Sequence, residues 1–443
     1  MPARKRSGLA RDRRAYTWSN ETPWLPPATY TITYNGNTNT GGNGPTDGSS
    51  PYTTGSTVTI LGNTGTLAKT GFTFSGWNTA ADGSGTQYSP GNTFVINANT
   101  ILYARWVAVP AVLAPTALFS VGGNQAAYIL FTQSGAVSNY EYSTDNGATF
   151  QAFNPPQIYS PVEINTLSSD EGATTRLTNG TEYTVILKAV NSTGARSNDS
   201  VAVTVTPTVT SLESTGRIIY LDANNASSYS GTGTTWTNLD SGGSYSATLN
   251  GSPTFDETTT PGNKYFDFNR AAATGQFAQI NQAAAINPVV NQPFTIQIWA
   301  RINNVGAQGS LVSKMFGEPE DYDGYNFIYL SNSALQLHLN GSSRDNRFPT
   351  SAGVISNGWR LYTANVQFGN GGGRQNRIFI NGRQVLSATS TESFISNRIQ
   401  NLTFPAGFGG DGECDVGQFY YYNTELSVTQ IIQNYDASKP RYL

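Results

Sequence analysis

Phe294-Thr295-Ile296-Gln297-Ile298-Trp299-Ala300-Arg301 alternates apolar and polar residues over a full strand length, the pattern of a strand with one buried face. Outward from it, Ala334-Leu335-Gln336-Leu337-His338-Leu339-Asn340 alternates in the same way, and Arg377-Ile378-Phe379-Ile380-Asn381-Gly382 runs into an Asn-Gly turn. The stretch opens upstream at Gly216-Arg217-Ile218-Ile219-Tyr220-Leu221-Asp222-Ala223. It closes at Val416-Gly417-Gln418-Phe419-Tyr420-Tyr421-Tyr422-Asn423-Thr424-Glu425-Leu426-Ser427. Many short strands separated by Gly, Asn, Ser and Asp predict a large antiparallel sandwich over residues 214–443. Tyr325, Phe327 and Tyr329 share one face of a strand and are expected in its core, and the Tyr420–Tyr422 run must divide its rings between two faces.

Composition agrees with an all-β chain. Of 443 residues only 12% are charged, while aromatics reach 12%, with 24 Tyr and 21 Phe. Such a chain builds cores from aromatic and β-branched residues and is too aromatic and too weakly charged to stay unfolded. A lone cysteine, Cys414, excludes an intrachain disulfide and a cysteine-rich zinc module. Its entry into a strand predicts a small buried side chain, and His338, the single histidine, offers it no base from sequence. No apolar stretch is long enough to span a bilayer, and no apolar h-region follows the basic N-terminus.

Three resemblances follow from residues in order. Tyr220-Leu221-Asp222-Ala223, Thr234-Thr235-Trp236-Thr237-Asn238-Leu239, Tyr265-Phe266-Asp267-Phe268, Trp299, Ile380-Asn381-Gly382 and the closing Tyr-Tyr-Asn-Thr-Glu-Leu-Ser resemble the laminin-G-like branch of the concanavalin A-like lectin/glucanase fold. The resemblance implies a jelly roll. Upstream, Gly71-Phe72-Thr73-Phe74-Ser75-Gly76-Trp77-Asn78-Thr79, Asp82-Gly83-Ser84-Gly85 and Leu102-Tyr103-Ala104-Arg105-Trp106 resemble the internalin-type B repeat (Listeria-Bacteroides repeat). That is a small β-grasp-like module which in its family acts mainly as a spacer, and Trp77 and Trp106 are then expected in its core. Between the two, Leu177-Thr178-Asn179-Gly180-Thr181-Glu182-Tyr183 is similar to the corner tyrosine of fibronectin type III domains. The chain therefore divides into an arm at 1–28, a repeat-like spacer at 29–107, a fibronectin-III-like (Ig-like) sandwich at 108–208 and the lectin-like jelly roll at 214–443. Pro110 and Pro115 stiffen one linker, and residues 207–215 form the other.

The arm is basic: Arg4, Lys5, Arg6, Arg11, Arg13 and Arg14 stand against Asp12 alone within residues 1–18, in a chain of net charge −3. Tyr16, Trp18, Trp24 and Leu25 add apolar anchors. We read the arm as docking into a larger protein assembly rather than onto nucleic acid, the alternative being a solvated tail.

Candidate chemistry sits in the jelly roll. Glu318-Pro319-Glu320-Asp321-Tyr322-Asp323-Gly324 and Asp411-Gly412-Glu413-Cys414-Asp415 cluster hard oxygen ligands. Asp321, Asp323, Asp411 and Asp415 are therefore candidate Ca²⁺ ligands, against the reading of a solvated acidic loop. Sugar recognition needs aromatic faces together with amides, carboxylates or guanidinium groups, and Tyr322, Asp323, Arg344 and Arg347 are the candidates. Glycoside hydrolysis needs two carboxyls held about 5–10 Å apart. Glu413 and Asp415 have no third carboxylate after them, since Gln418 stands there, and no nucleophile elbow, phosphate loop or His-based metal motif occurs. The sequence thus predicts a non-enzymatic virion surface protein, such as a capsid decoration, fibre or tail component, held by its arm to other capsid proteins and presenting the jelly roll to host glycans. A capsid cement without sugar binding and a bacterial surface adhesin are the alternatives.

Overall fold

The computed structural model describes residues 26–108, 111–133, 135–170, 172–240, 244–257, 263–268, 275–286, 292–316, 323–339, 347–368, 374–390, 400–405 and 413–443. Among the described residues strands dominate, with one short α-helix, and the chain divides into two compact units, Met1–Ala111 and Val112–Leu443.

In the first unit a four-stranded sheet runs in the order Ile32–Asn35, Thr100–Ala108, Phe72–Asn78, Gln87–Tyr88, its first two strands parallel. Ile32 and Tyr34 alternate with exposed neighbours, so the sheet buries one face. That face closes on Trp77, which is fully buried with Val58, Ile60, Ile96 and Leu102. Its indole N–H donates to the Leu61 carbonyl at 2.9 Å, so burying the ring leaves no donor unmet. Trp106 packs against this core, half-buried, and donates to the Gly36 carbonyl at 3.0 Å.

The second unit begins with a small sandwich. One sheet has the order Val162–Ile164, Ala126–Thr132, Thr116–Gly123, and the facing sheet Gln151–Ala152, Asn139–Ser143, Tyr183–Val190, Val203–Val205. Tyr183 accepts a hydrogen bond at its hydroxyl from the Thr178 amide at 3.0 Å, tying the corner ahead of its strand.

The jelly roll follows as two eight-stranded sheets. The first has the order Thr254–Asp256, Tyr265–Phe268, Cys414–Tyr422, Phe294–Ile302, Trp359–Phe368, Arg374–Ile380, Arg383–Ser390, with Arg217–Asp222 also paired to Cys414–Tyr422. The second has the order Thr235–Trp236, Ala247–Asn250, Phe277–Ile280, Leu402–Phe404, Gly309–Phe316, Asp323–Tyr329, Leu335–Leu339, Arg347–Pro349. Between them lies the main core: Ile296, Ile298, Tyr362, Ala364 and Tyr421 from the first sheet meet Trp236, Tyr325, Phe327, Tyr329 and Leu337 from the second. Cys414 belongs to this core as a free, buried thiol that burial pushes well above its usual pKa. It is packing, not a nucleophile.

Tyr420 and Tyr422 point the other way, into a second apolar layer on the outer face of the first sheet. A helix covers that layer, Val428–Ser438, which the strand-only reading of the sequence did not anticipate. It opens with a capping box: Ser427 accepts from the Gln430 amide through its side chain, and the Gln430 side-chain oxygen accepts in turn from the Ser427 backbone N–H. Ile431, Ile432 and Tyr435 fall on its sheet-facing side with Trp299, Trp359, Leu361 and Phe379. Trp299 donates its indole N–H to Ser438 Oγ at 2.8 Å and stacks on Tyr442 with ring centroids 4.4 Å apart. Opposite Trp299 and Ala300 the register skips Gly417, which bulges out between Val416 and Gln418. A Cβ at Gly417 would lie 2.4 Å from the Tyr442 hydroxyl, so only glycine lets the C-terminal ring settle there.

The helix also joins the two sandwiches. Tyr128 donates its hydroxyl to Asp436 at 2.6 Å, the Asn124 amide to the same carboxylate at 2.6 Å, and Thr210 Oγ1 at 2.7 Å. Lys439 lies 2.9 Å from Asp436 and 2.6 Å from Glu163. Burial opposes the Asp436 charge, but these donors outweigh it and hold the carboxyl below its usual pKa. Gly123 is again a close approach, since a Cβ there would meet Asp436 Oδ1 at 2.8 Å. The connection read from sequence as a linker is pinned on the helix as well: the Glu213 amide donates to Asn434 Oδ1 at 2.7 Å, and Gln430 Nε2 donates to the Glu213 carboxylate at 2.7 Å. The middle sandwich is therefore docked on the jelly roll, not held apart from it.

Candidate functional site: a polar row across the second sheet

In an antiparallel sheet, residues directly opposite one another share a face. Along the second sheet the register places Thr235 opposite Thr248, Thr248 opposite Gln279, and Gln279 opposite Thr403. It continues from Thr403 to Ser313, from Ser313 to Asn326, from Asn326 to His338, and from His338 to Arg347. Eight strands thus contribute one unbroken polar row. Their neighbours along each strand, among them Trp236, Ile280, Leu402, Val312, Phe327 and Leu337, fill the core, so the row stands on the face turned away from it.

The row is graded. Thr235, Thr248 and Arg347 at its ends are exposed, Gln279 and Thr403 are half-buried, and Ser313, Asn326 and His338 are buried. Neighbouring hydroxyls orient it: Ser310 Oγ donates to Asn326 Oδ1 at 3.1 Å, and Thr403 Oγ1 donates to the Ser313 carbonyl at 3.3 Å. Burial pushes the His338 imidazole down to about 4, with the Arg347 charge adding to the effect. At neutral pH His338 is therefore uncharged, with one ring nitrogen donating and the other accepting. The row offers hydroxyls, amides and a neutral imidazole, closed by one guanidinium, and contains no carboxylate. Its exposed and half-buried members present hydroxyl, amide and guanidinium groups of the kind that match sugar hydroxyls.

The outer face of the first sheet carries the helix, Tyr442 and part of the middle sandwich. At its margin Asp415 is buried and engaged: Arg301 Nε donates to Oδ2 at 2.6 Å and Asn303 Nδ2 to Oδ1 at 3.2 Å. Burial raises its carboxyl and Arg301 opposes the shift. Asp222 is likewise tied to Arg441, to the Tyr220 hydroxyl at 2.9 Å and to Gln418 Nε2 at 3.0 Å.

Of the residues singled out from sequence, Arg347 ends the polar row, beside His338. Asp323 opens the strand Asp323–Tyr329, and its side chain lies outside the described residues, as do Tyr322, Arg344, Asp321 and Asp411 entirely. Arg4, Lys5, Arg6, Arg11, Arg13, Arg14 and Trp18 of the arm lie outside them too. Among the described residues no group of three or more His, Cys, Asp or Glu side chains is arranged to hold a metal ion. Sequence reading missed Gln279, Thr403, Ser313 and Asn326. Alternation puts each on the polar face of its own strand, but only the strand order makes them one row.

Comparison with known proteins assigns two of the modules. Residues 30–105 match the Listeria-Bacteroides repeat domain, and residues 272–432 match the concanavalin A-like lectin/glucanases superfamily. Two proteins of Evansella cellulosilytica are similar in part: one whose name includes "membrane protein", 40% identical over 86 residues, and one whose name includes "Gly-rich membrane protein", 42% identical over 82 residues. The matches span 19% and 17% of this chain and only 12% and 9% of those relatives. Among solved structures, the binding domain of botulinum neurotoxin DC in complex with rat synaptotagmin II is 16% identical over 50% of this chain and 51% of that one, with a TM-score of 0.38. The same domain in complex with SialylT gives 16% identity over the same shares and 0.39. The match at residues 272–432 and the two-sheet order make the C-terminal half a concanavalin A-like jelly roll. No helix among the described residues is long and apolar enough to cross a membrane.

Proposed function

We propose that this chain is a non-enzymatic surface protein that attaches to glycans through its C-terminal sandwich. The observation that carries the reading is the carboxylate-free polar row across the second sheet, on a family fold that includes lectins. The repeat at 30–105 serves as the spacer. The 3-plus-4 strand order and tied corner tyrosine of the middle sandwich support its fibronectin-III-like reading. The carrier is a virion, in which the basic arm of residues 1–28 docks on other capsid proteins and the sandwich meets host glycans. The names of the two Evansella relatives favour a second reading, display on a bacterial cell surface.

Two experiments test this. A glycan array probed with the whole chain, with and without Ca²⁺, returns specific hits under the proposal. Hits that need Ca²⁺ and vanish on Asp323→Ala or Asp411→Ala place a metal at those aspartates. A blank array in both conditions leaves the chain as capsid cement. Antibody labelling of purified particles and of whole cells separates virion from cell-surface display.

A further inference from the structure

A cleft of about 520 Å³ opens where the middle sandwich meets the edge of the first jelly-roll sheet, with Tyr159 on one side and Arg360, Asn381 and Arg383 on the other. Its chemistry is one-sided. Arg360 spends two of its donors nearby, Nη1 on the Trp359 carbonyl at 2.8 Å and Nη2 on Ser356 Oγ at 3.0 Å. Arg383 lies with its guanidinium 3.5 Å from the centre of the Tyr159 ring, which is itself 50% exposed. Asn381 accepts the Leu361 amide through Oδ1 at 2.9 Å, and its Nδ2 has no partner among the described residues. No carboxylate lines the cleft, and neither arginine has one as partner among the described residues. Both guanidinium groups are half-buried, Arg360 held by neutral acceptors and Arg383 by the Tyr159 side chain, so each keeps its charge and unused donors for an anion. Burial lowers the Arg383 pKa. Val354, Ile380 and Val385 supply apolar wall beside the donors.

We propose that this cleft binds a sugar residue carrying a carboxylate or sulfate group, with Arg360 and Arg383 on the anion, Asn381 Nδ2 on a ring hydroxyl, and the apolar wall against the C–H face. Planar guanidinium forks match both anions. The site is separate from the polar row, which suits the uncharged part of a saccharide, and the inference rests on the glycan-binding reading. The middle sandwich is then part of the binding head, because it supplies Tyr159.

The test uses the full chain with Arg4, Lys5, Arg6, Arg11, Arg13 and Arg14 replaced by Gln, so that the arm cannot itself attract polyanions. Its probes are a heparin oligosaccharide, an oligogalacturonate, a panel of neutral oligosaccharides and inorganic sulfate alone. At least one anionic saccharide binds, and Arg360→Gln with Arg383→Gln weakens it by about tenfold or more without changing the melting temperature. Arg383→Lys keeps the charge but not the fork and lands between the two. Undiminished binding by the double variant overturns the proposal. Binding of neutral saccharides alone also overturns it while leaving the glycan-binding reading intact, whereas binding of neither class defeats both. Sulfate that competes as tightly as the oligosaccharide marks an anion site with no sugar recognition, which overturns the saccharide assignment.

Discussion

Replacing Asp436 by Ala should release the middle sandwich from the jelly roll. The carboxylate is fully buried and accepts from Tyr128, Asn124 and Thr210 at 2.6–2.7 Å while pairing with Lys439. Truncation leaves the Tyr128 hydroxyl and the Asn124 amide without their acceptor, each costing about 1–3 kcal/mol. Lys439 keeps Glu163 at 2.6 Å and is not orphaned. The two orphaned donors together set the expectation at about 2–6 kcal/mol. Tyr128→Phe removes the bond its hydroxyl donates to Asp436 and the one it accepts from Lys439 and should cost about 1–3 kcal/mol, and because both act on one network the double variant should cost less than the sum. Urea unfolding followed by tryptophan emission reads the loss, since Trp299 lies beneath the helix. The folded-state pKa of Asp436 is depressed, so its stabilisation is fully present above the unfolded value near 3.8 and is lost as pH falls through the folded value. The gap between wild type and variant should therefore stay constant from about pH 5 to 8 and narrow below about pH 4. A variant within about 0.5 kcal/mol of wild type at pH 7 would refute the claim that this carboxylate holds the two sandwiches together.

Three further outcomes follow from the same geometry. His338 titrates near 4 when folded against 6.5 when free, so the unfolded chain takes up the proton first and stability should fall by roughly 3 kcal/mol between about pH 6.5 and 4. His338→Gln should flatten that part of the pH–stability curve, and an unchanged slope would show that the imidazole is not held neutral. Gly417→Ala places a Cβ 2.4 Å from the Tyr442 hydroxyl and should expel that ring from Trp299, costing about as much as Tyr442→Ala, some 3–5 kcal/mol; near-ultraviolet circular dichroism reports the loss of the stack. Ser427→Ala breaks the capping box and should cost about 1 kcal/mol in thermal unfolding, whereas no change would mean the helix is held by its apolar face alone.

Much of the fold was legible because strands announce themselves locally. The alternation of Phe294–Arg301 and of Tyr325–Tyr329 fixes which side chains enter the core, and Trp77 and Tyr421 stand where their patterns put them. The helix was legible in principle: Ser427 followed by Gln430 is a capping box, and Ile431, Ile432 and Tyr435 are at helical spacing. It was overlooked because the segment follows a tyrosine-rich strand with no break in polarity. The docking was not legible at all, since Tyr128 and Asp436 stand 308 positions apart and nothing local in either announces the other. The polar row fails for a related reason. Thr403 sits beside Ser313 only through sheet order, which alternation does not encode.

The central claim is that the second sheet's polar row binds glycans. The most direct measurement is a glycan array probed side by side with the whole chain and with a Gln279→Ala/Thr403→Ala variant of unchanged melting temperature. Both positions are half-buried on the row's accessible half, and losing both should remove the neutral-glycan hits of the wild type. An identical profile for the two chains, or a blank array for the wild type, would contradict it.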